Sequence, residues 1–190
     1  MEEKVIVAGF GGQGVMAIGK LLAYAGMLED KQVSWLPSYG PEMRGGTANC
    51  DVIVSDEMIG SPVISKDATA AIIMNLPSLK KFEEEIISGG KILINSSLIN
   101  EKTSRDDVEA YYIPANDLAL QLGNSKTINM IMLGAYLELT KVADVESVLQ
   151  AFLKVFGEQK SNAIPLNREA LLKGAEAVKK VNKVQLVNAS

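Results

Sequence analysis

The chain contains no histidine and a single cysteine, Cys50. A Ser-His-Asp relay therefore cannot be built from it, and there is no second thiol for a disulfide. An iron–sulfur cluster or a structural zinc site takes about four ligands, so neither can be assembled from this chain alone. Any electron transfer or acid–base chemistry in which it takes part must be carried mainly by a bound cofactor or a partner. Also missing is any run of the roughly 18 to 20 uninterrupted apolar residues that crosses a bilayer. Met1-Glu2-Glu3-Lys4 lacks the basic start of a secretory signal, so the expectation is a cytoplasmic protein without membrane contact. Positive charge is not in excess either. Lys and Arg number 19 against 23 Asp and Glu, a net −4, and the basic patch that displaces counterions from nucleic acid is absent.

What is present suffices for one substantial core: 47% of the 190 residues are hydrophobic and 22% charged. No internal repeat or linker interrupts the chain, and residues 1–190 read as a single domain. β-Branched or continuous apolar runs predict strands over residues 4–9, 33–36, 47–55, 68–74, 91–94 and 110–113. Apolar residues three or four apart predict helices over 13–28, 76–88, 115–122, 127–139, 145–156 and 168–181, with Pro77 suited to a first helical turn. Strands separated by helices imply an α/β fold, a three-layer α/β/α Rossmann-like sandwich with a mostly parallel sheet and a helical C-terminal third.

Gly9-Phe10-Gly11-Gly12-Gln13-Gly14 fits G-x-G-x-x-G and falls directly after a predicted strand, opening a predicted helix. Glycines there permit a tight turn and close backbone approach, and the free N–H groups of a helix start attract an anion. The same glycines also serve simple close packing of strand on helix, and both readings stand. A nicotinamide site would place an acid at the end of the second strand, but that strand ends Trp35-Leu36-Pro37-Ser38; Glu29 and Asp30 precede it and read as a solvated helix end. Val15-Met16 stands where a phosphate-binding P-loop needs Lys-Ser/Thr.

The stretch Pro37-Ser38-Tyr39-Gly40-Pro41-Glu42-Met43-Arg44-Gly45-Gly46 is a loop by its prolines and glycines. Loops that follow parallel strands emerge where such sheets bind ligands. Arg44 beside two glycines can present its guanidinium to a carboxylate or phosphate; a surface pair with Glu42 is the structural alternative. Asn129 sits in the otherwise apolar run 128–133 and must either find a hydrogen-bond partner or face an opening. Cys50 in its strand reads as a small buried hydrophobe.

The glycine turn with Val15, together with the stretch from Pro37 through Gly46-Thr47-Ala48-Asn49, closely resembles the gamma subunit of 2-oxoacid:ferredoxin oxidoreductases. The resemblance continues through Ser55-Asp56-Glu57, Ile59-Gly60-Ser61-Pro62, Asn75, Asn129 and Gly134-Ala135, covering the chain to about residue 140. The unbroken wording from Ser38 to Asn49 is most similar to the 2-oxoglutarate type. The resemblance implies oxidative decarboxylation of a 2-oxoacid with release of an acyl-CoA. Thiamine diphosphate, Mg2+ and the iron–sulfur clusters would lie in partner subunits, with electrons passed to ferredoxin. It implies no cofactor held by this chain alone, coenzyme A (CoA) as co-substrate, and a hetero-oligomer that also leaves room for contact between two copies of the chain. Candidate ligand-contacting residues are Gly11, Gly12, Gln13, Gly14, Ser38, Tyr39, Glu42, Arg44, Gly45 and Asn129, with no catalytic or metal-binding residue among them. Two other readings remain: a free-standing nucleotide-dependent oxidoreductase built on the glycine turn, and a subunit serving assembly alone.

Overall fold

The computed structural model describes residues 1–38 and 47–188. The candidate residues Tyr39, Glu42, Arg44 and Gly45 lie outside the described residues. Six strands form one sheet in the order β2-β3-β1-β4-β5-β6. They are β1 (Glu2–Phe10), β2 (Gln32–Ser38), β3 (Thr47–Ser55), β4 (Ala68–Ile73), β5 (Ile86–Asn95) and β6 (Glu109–Ile113). The pairs β1–β4, β4–β5 and β5–β6 are parallel, whereas β3 is antiparallel to both β1 and β2. The sheet is thus mostly parallel, as expected, with β3 alone reversed. The reason is connection length: only residues 39–46 join β2 to β3, fewer than the dozen or more that a parallel crossover needs.

Successive side chains of a strand point to opposite faces, and two cores result. Val5, Val7, Ile72 and Leu93 face the larger cluster, which includes residues of α1 (Val15–Leu28), α3 (Ala115–Gln121), α4 (Ile128–Thr140), α5 (Val145–Phe156) and α6 (Ile164–Asn188). Ile6, Ala8, Ile73 and Ile94 face the smaller cluster, with Leu79 and Phe82 of α2 (Leu76–Phe82). The three layers are present, but one outer layer holds most of the helix.

Local chemistry shortens the helix expected over 76–88. Asn75 caps α2 by accepting from the Ser78 N–H at 2.9 Å, and α2 ends at Phe82 in a 3-10 turn, Glu83–Glu85. Three consecutive carboxylates oppose the negative end of a helix, and the β-branched Ile86 and Ile87 join β5 instead. The Arg105 guanidinium holds the turn by donating to the carbonyls of Glu83 (2.9 Å) and Ile86 (3.1 Å). Glu29 is also more than a solvated helix end. Its carboxylate accepts from the Asp144 N–H at 2.7 Å and from Lys31 Nζ at 2.9 Å, joining the α1–β2 turn to the start of α5.

Helices α4 and α6 run parallel and meet backbone to backbone. A Cβ at Gly134 would collide with the Leu171 carbonyl, and one at Gly174 with the Ile131 carbonyl. Gly174→Ala is expected to force the helices apart and to cost about 1–3 kcal/mol or more, read as a lower urea midpoint for the purified chain. Within the sheet, burial pushes the carboxyl of Asp51 up to about 6, Glu85 adds to the rise, and the Ile64 N–H opposes it. The folded state then holds this proton more tightly than the unfolded chain. Its contribution to stability falls as pH rises from roughly 4 to 6 and stays reduced above. Asp51→Asn should therefore gain on the order of 1–3 kcal/mol near pH 7 and nothing near pH 3.5. Equal urea midpoints for both proteins near pH 7 would contradict this.

Candidate functional site

The glycine turn lies where β1 hands over to α1. Gly12 has φ 91° and Gly14 φ 78°, left-handed values that an L side chain resists. The Gln13 N–H bonds the Phe10 carbonyl at 3.2 Å to close the turn. The Gln13 side chain folds back over the strand ends: Oε1 accepts from the Phe10 N–H at 2.6 Å, and Nε2 donates to the Met74 carbonyl at 3.3 Å. Its amide is therefore engaged as a brace between β1 and the end of β4. Gly14 serves as the N-cap of α1 without a side chain to cap it, so the first N–H groups of the helix point outward without intrahelical acceptors.

Gly14 is also where α4 touches α1. A Cβ there would lie 2.8 Å from both Cβ and Nδ2 of Asn129. Between the two helix starts opens a cavity of about 250 Å³ lined by Gly12, Gln13, Gly14, Asn116, Lys126 and Asn129, with Leu98, Ser125 and Ile128 completing its wall. It sits beyond the carboxyl ends of the parallel strands, the edge at which open α/β sheets take ligands.

The polar groups facing it are mostly hydrogen-bond donors. Asn95, wholly buried at the end of β5, donates from Nδ2 to Asn116 Oδ1 at 2.8 Å, which leaves the Asn116 NH2 for the cavity. Ser97 Oγ accepts from the N–H groups of Asn116 (3.2 Å) and Asp117 (3.3 Å), fixing the start of α3. Asn124 Oδ1 accepts from the Lys126 N–H at 2.9 Å and sets the turn that presents Lys126. Lys126 makes no ion pair with a described residue, and the Asn129 amide no hydrogen bond with one. No carboxylate lines the cavity among the described residues. Two helix starts, a lysine and side-chain amides form a donor set whose chemistry suits an anionic, polar group.

Of the residues the sequence nominated, Gly12, Gln13, Gly14 and Asn129 come together here, and Asn129 faces the opening. Gly11 is exposed in the same turn without lining the cavity. Ser38 ends β2 opposite Asn49 and is also outside the lining, while Thr47 pairs with Phe10. Ser38 and Thr47 are therefore both at the sheet edge that carries the glycine turn. Asn116 and Lys126 were not nominated. Their sequence signal is slight, each standing where a loop turns into a helix. Cys50 is fully buried, its Sγ 3.7 Å from the Val15 carbonyl, and burial pushes its thiol up to about 12. A thiol so protected does not serve as a cluster ligand.

Residues 4–177 match the pyruvate ferredoxin/flavodoxin oxidoreductase family. The chain belongs to this family. Within it the chain is of the gamma-subunit type. It is 37% identical over 175 residues to the ketoisovalerate oxidoreductase subunit VorA of Methanothermobacter thermautotrophicus, covering 92% of this chain and 36% of VorA. The chain thus spans about a third of that relative's length. The 2-oxoglutarate synthase subunit KorC of Methanocaldococcus jannaschii is 32% identical over 186 residues, covering 95% of this chain and 96% of KorC. The crystal structure of the keto/oxoacid ferredoxin oxidoreductase gamma subunit from Geobacter sulfurreducens superposes with a TM-score of 0.77. It is 27% identical, and the match covers 94% of this chain and 99% of that one.

The brace formed by Gln13 gives this family member a direct test. Gln13→Ala removes the acceptor from the Phe10 N–H and should lower stability by about 1 kcal/mol. Amide exchange at Phe10 should quicken along with it. Gln13→Glu keeps that acceptor but sets an oxygen against the Met74 carbonyl, so it should protect the Phe10 amide while still losing stability. Unaltered exchange at Phe10 in Gln13→Ala would rule out the brace.

Proposed function

We propose that this chain serves as the gamma subunit of a complex that oxidatively decarboxylates a 2-oxoacid, passes the electrons to ferredoxin and transfers the acyl group to CoA. Within the complex, thiamine diphosphate, Mg2+ and the iron–sulfur clusters belong to partner subunits; a chain with one buried cysteine and no histidine does not fit a cluster. The role assigned to this chain is to hold CoA. The observation that carries this is the donor-lined cavity at the glycine turn, where the N–H groups of α1, Lys126 and the amides of Asn116 and Asn129 suit a pyrophosphate and the polar arm attached to it. Arg44, three residues before Thr47, belongs to the same proposal through the resemblance.

A nicotinamide reading is disfavoured by topology. A dinucleotide fold sets its second parallel strand beside the first and uses an acid at its end for the ribose. Here the reversed β3 lies between β1 and β2, and the parallel neighbour of β1 is β4.

The substrate proposed is 2-oxoglutarate, giving succinyl-CoA, on the strength of the wording from Ser38 to Asn49 and of the similarity to KorC along most of its length. The higher identity to VorA favours a second reading, a branched 2-oxoacid. Purifying the complex through this chain and measuring CoA-dependent ferredoxin reduction with 2-oxoglutarate, 2-oxoisovalerate and pyruvate decides between them. The highest kcat/KM is expected for 2-oxoglutarate; a maximum with 2-oxoisovalerate would install the second reading, and no reduction with any of the three would reject the function. In the same complex Lys126→Ala, which removes a charge-assisted bond of about 1.5–3 kcal/mol, should raise KM for CoA by roughly tenfold or more.

A further inference from the structure

The exposed methionines gather at the sheet edge opposite the glycine turn. β1 begins there, the reversed β3 ends there, and α1 runs down to it from the turn. Met1, Met27 and Met58 are 51%, 57% and 90% exposed, whereas Met74, Met130 and Met132 are buried and Met16 is half-buried. Met1 and Met58 line one cavity of about 280 Å³ with Glu2, Ser55 and Glu57, and Met27 stands in the last turn of α1 on the same edge. Methionine is flexible and polarisable, moulds to a partner surface and is enriched in protein contact patches.

Met58 is held out by its own loop. The Glu57 N–H donates to Ser55 Oγ at 3.0 Å, the Asp56 N–H to the Met1 carbonyl at 3.0 Å, and the Met1 amine to Asp56 Oδ2 at 2.9 Å. Directly after Met58 the chain turns inward, and Ile59 packs on the smaller core. The tip is thus fixed before any contact forms, which lowers the ordering cost of binding. Its rim is acidic. Glu2, Asp56 and Glu57 stand around it, and Glu57 makes no ion pair with a described residue.

The longer relative points to the occupant. β1 starts at this edge, and α6, parallel to α4, comes down to it: Lys179 pairs with Glu138, near the end of α4, at 3.1 Å. VorA is matched over 36% of its own length. The rest of its chain therefore leaves from this edge, whether it precedes or follows the shared part. A second copy of the present chain is disfavoured here, because it would set one acidic rim against another. We propose that the surface around Met58 docks the partner subunit equivalent to the remainder of VorA. That subunit inserts an apolar side chain between Met1 and Met58 and sets a lysine or arginine against Glu57. The inference rests on the reading of this chain as a subunit, given above.

The test is carbene footprinting, which labels exposed side chains without oxidising iron–sulfur clusters, on the purified chain and on the complex purified through it. Met58 should label strongly in the chain alone and roughly tenfold less in the complex, as the contact excludes solvent. Labelling of Met1 should fall with it. Met58→Asp should raise the dissociation constant for the partner by about tenfold or more. The urea midpoint of the chain alone should not move, because this side chain supports nothing in its own fold. Leu120→Asp, at a 70% exposed position of α3 away from this edge, should leave the partner bound as in the wild type. A photo-crosslinking residue in place of Met58 should attach to the subunit whose sequence matches the remainder of VorA. Equal labelling of Met58 in both samples would overturn the inference while leaving the subunit reading intact, as would a crosslink to any other subunit or to a second copy of this chain. A tagged chain recovered with no other subunit would overturn the inference and the reading beneath it together.

Discussion

The contact between α4 and α6 is the constraint on which the rest of the molecule depends. Because Gly134 and Gly174 place no side chain between them, the two helices lie close enough for α4 to be enclosed; its residues from Met130 to Leu137 are all buried. Such contact trades side-chain burial for dispersion between backbones and tolerates no added methyl. Parallel running then brings both helix starts to one end of the domain. The start of α4 meets the glycine turn through Asn129, and the start of α6 brings Asn167 beside Thr127. The cavity at the glycine turn is a consequence of one helix pair meeting a sheet edge.

Charge at this edge runs opposite to that of the whole. The chain is net negative by 4, yet the lining of the glycine-turn cavity carries a lysine and amides without a carboxylate among the described residues. Asp117, next in sequence to Asn116 of that lining, is engaged by Ser97, from whose hydroxyl it accepts at 2.8 Å. A negative surface with a positive recess directs an anionic ligand by local field rather than by net charge.

Much of this was legible in the sequence because it is written in short-range patterns. The strand–turn–helix at Gly9–Gly14 follows from glycines in sequence, and the apolar runs predicted all six strands, five of them to within two residues at each end, while β5 starts at Ile86, five residues before the predicted 91. The segments that were misread depend on distant partners. The early end of α2 needs Arg105, more than twenty residues further on, to hold the carbonyls of Glu83 and Ile86. The commitment of Glu29 requires Asp144. The reversal of β3 is a matter of how few residues precede it, which hydrophobic period does not report. In the site, Asn129 was visible as a polar residue in an apolar helix. Lys126 resembles any surface lysine until the fold places it at the cavity.

Burial of Cys50 has an experimental consequence. Its Sγ lies beneath the helix α1 backbone, and the thiol is held in its unreactive protonated form. The chain therefore presents no native sulfhydryl to alkylating reagents. A cysteine introduced at an exposed position such as Ser125 or Gln159 becomes the one site that a spin label or fluorophore can modify in this chain. Distances from such a position to other components of an assembly can then be measured on an otherwise unaltered protein.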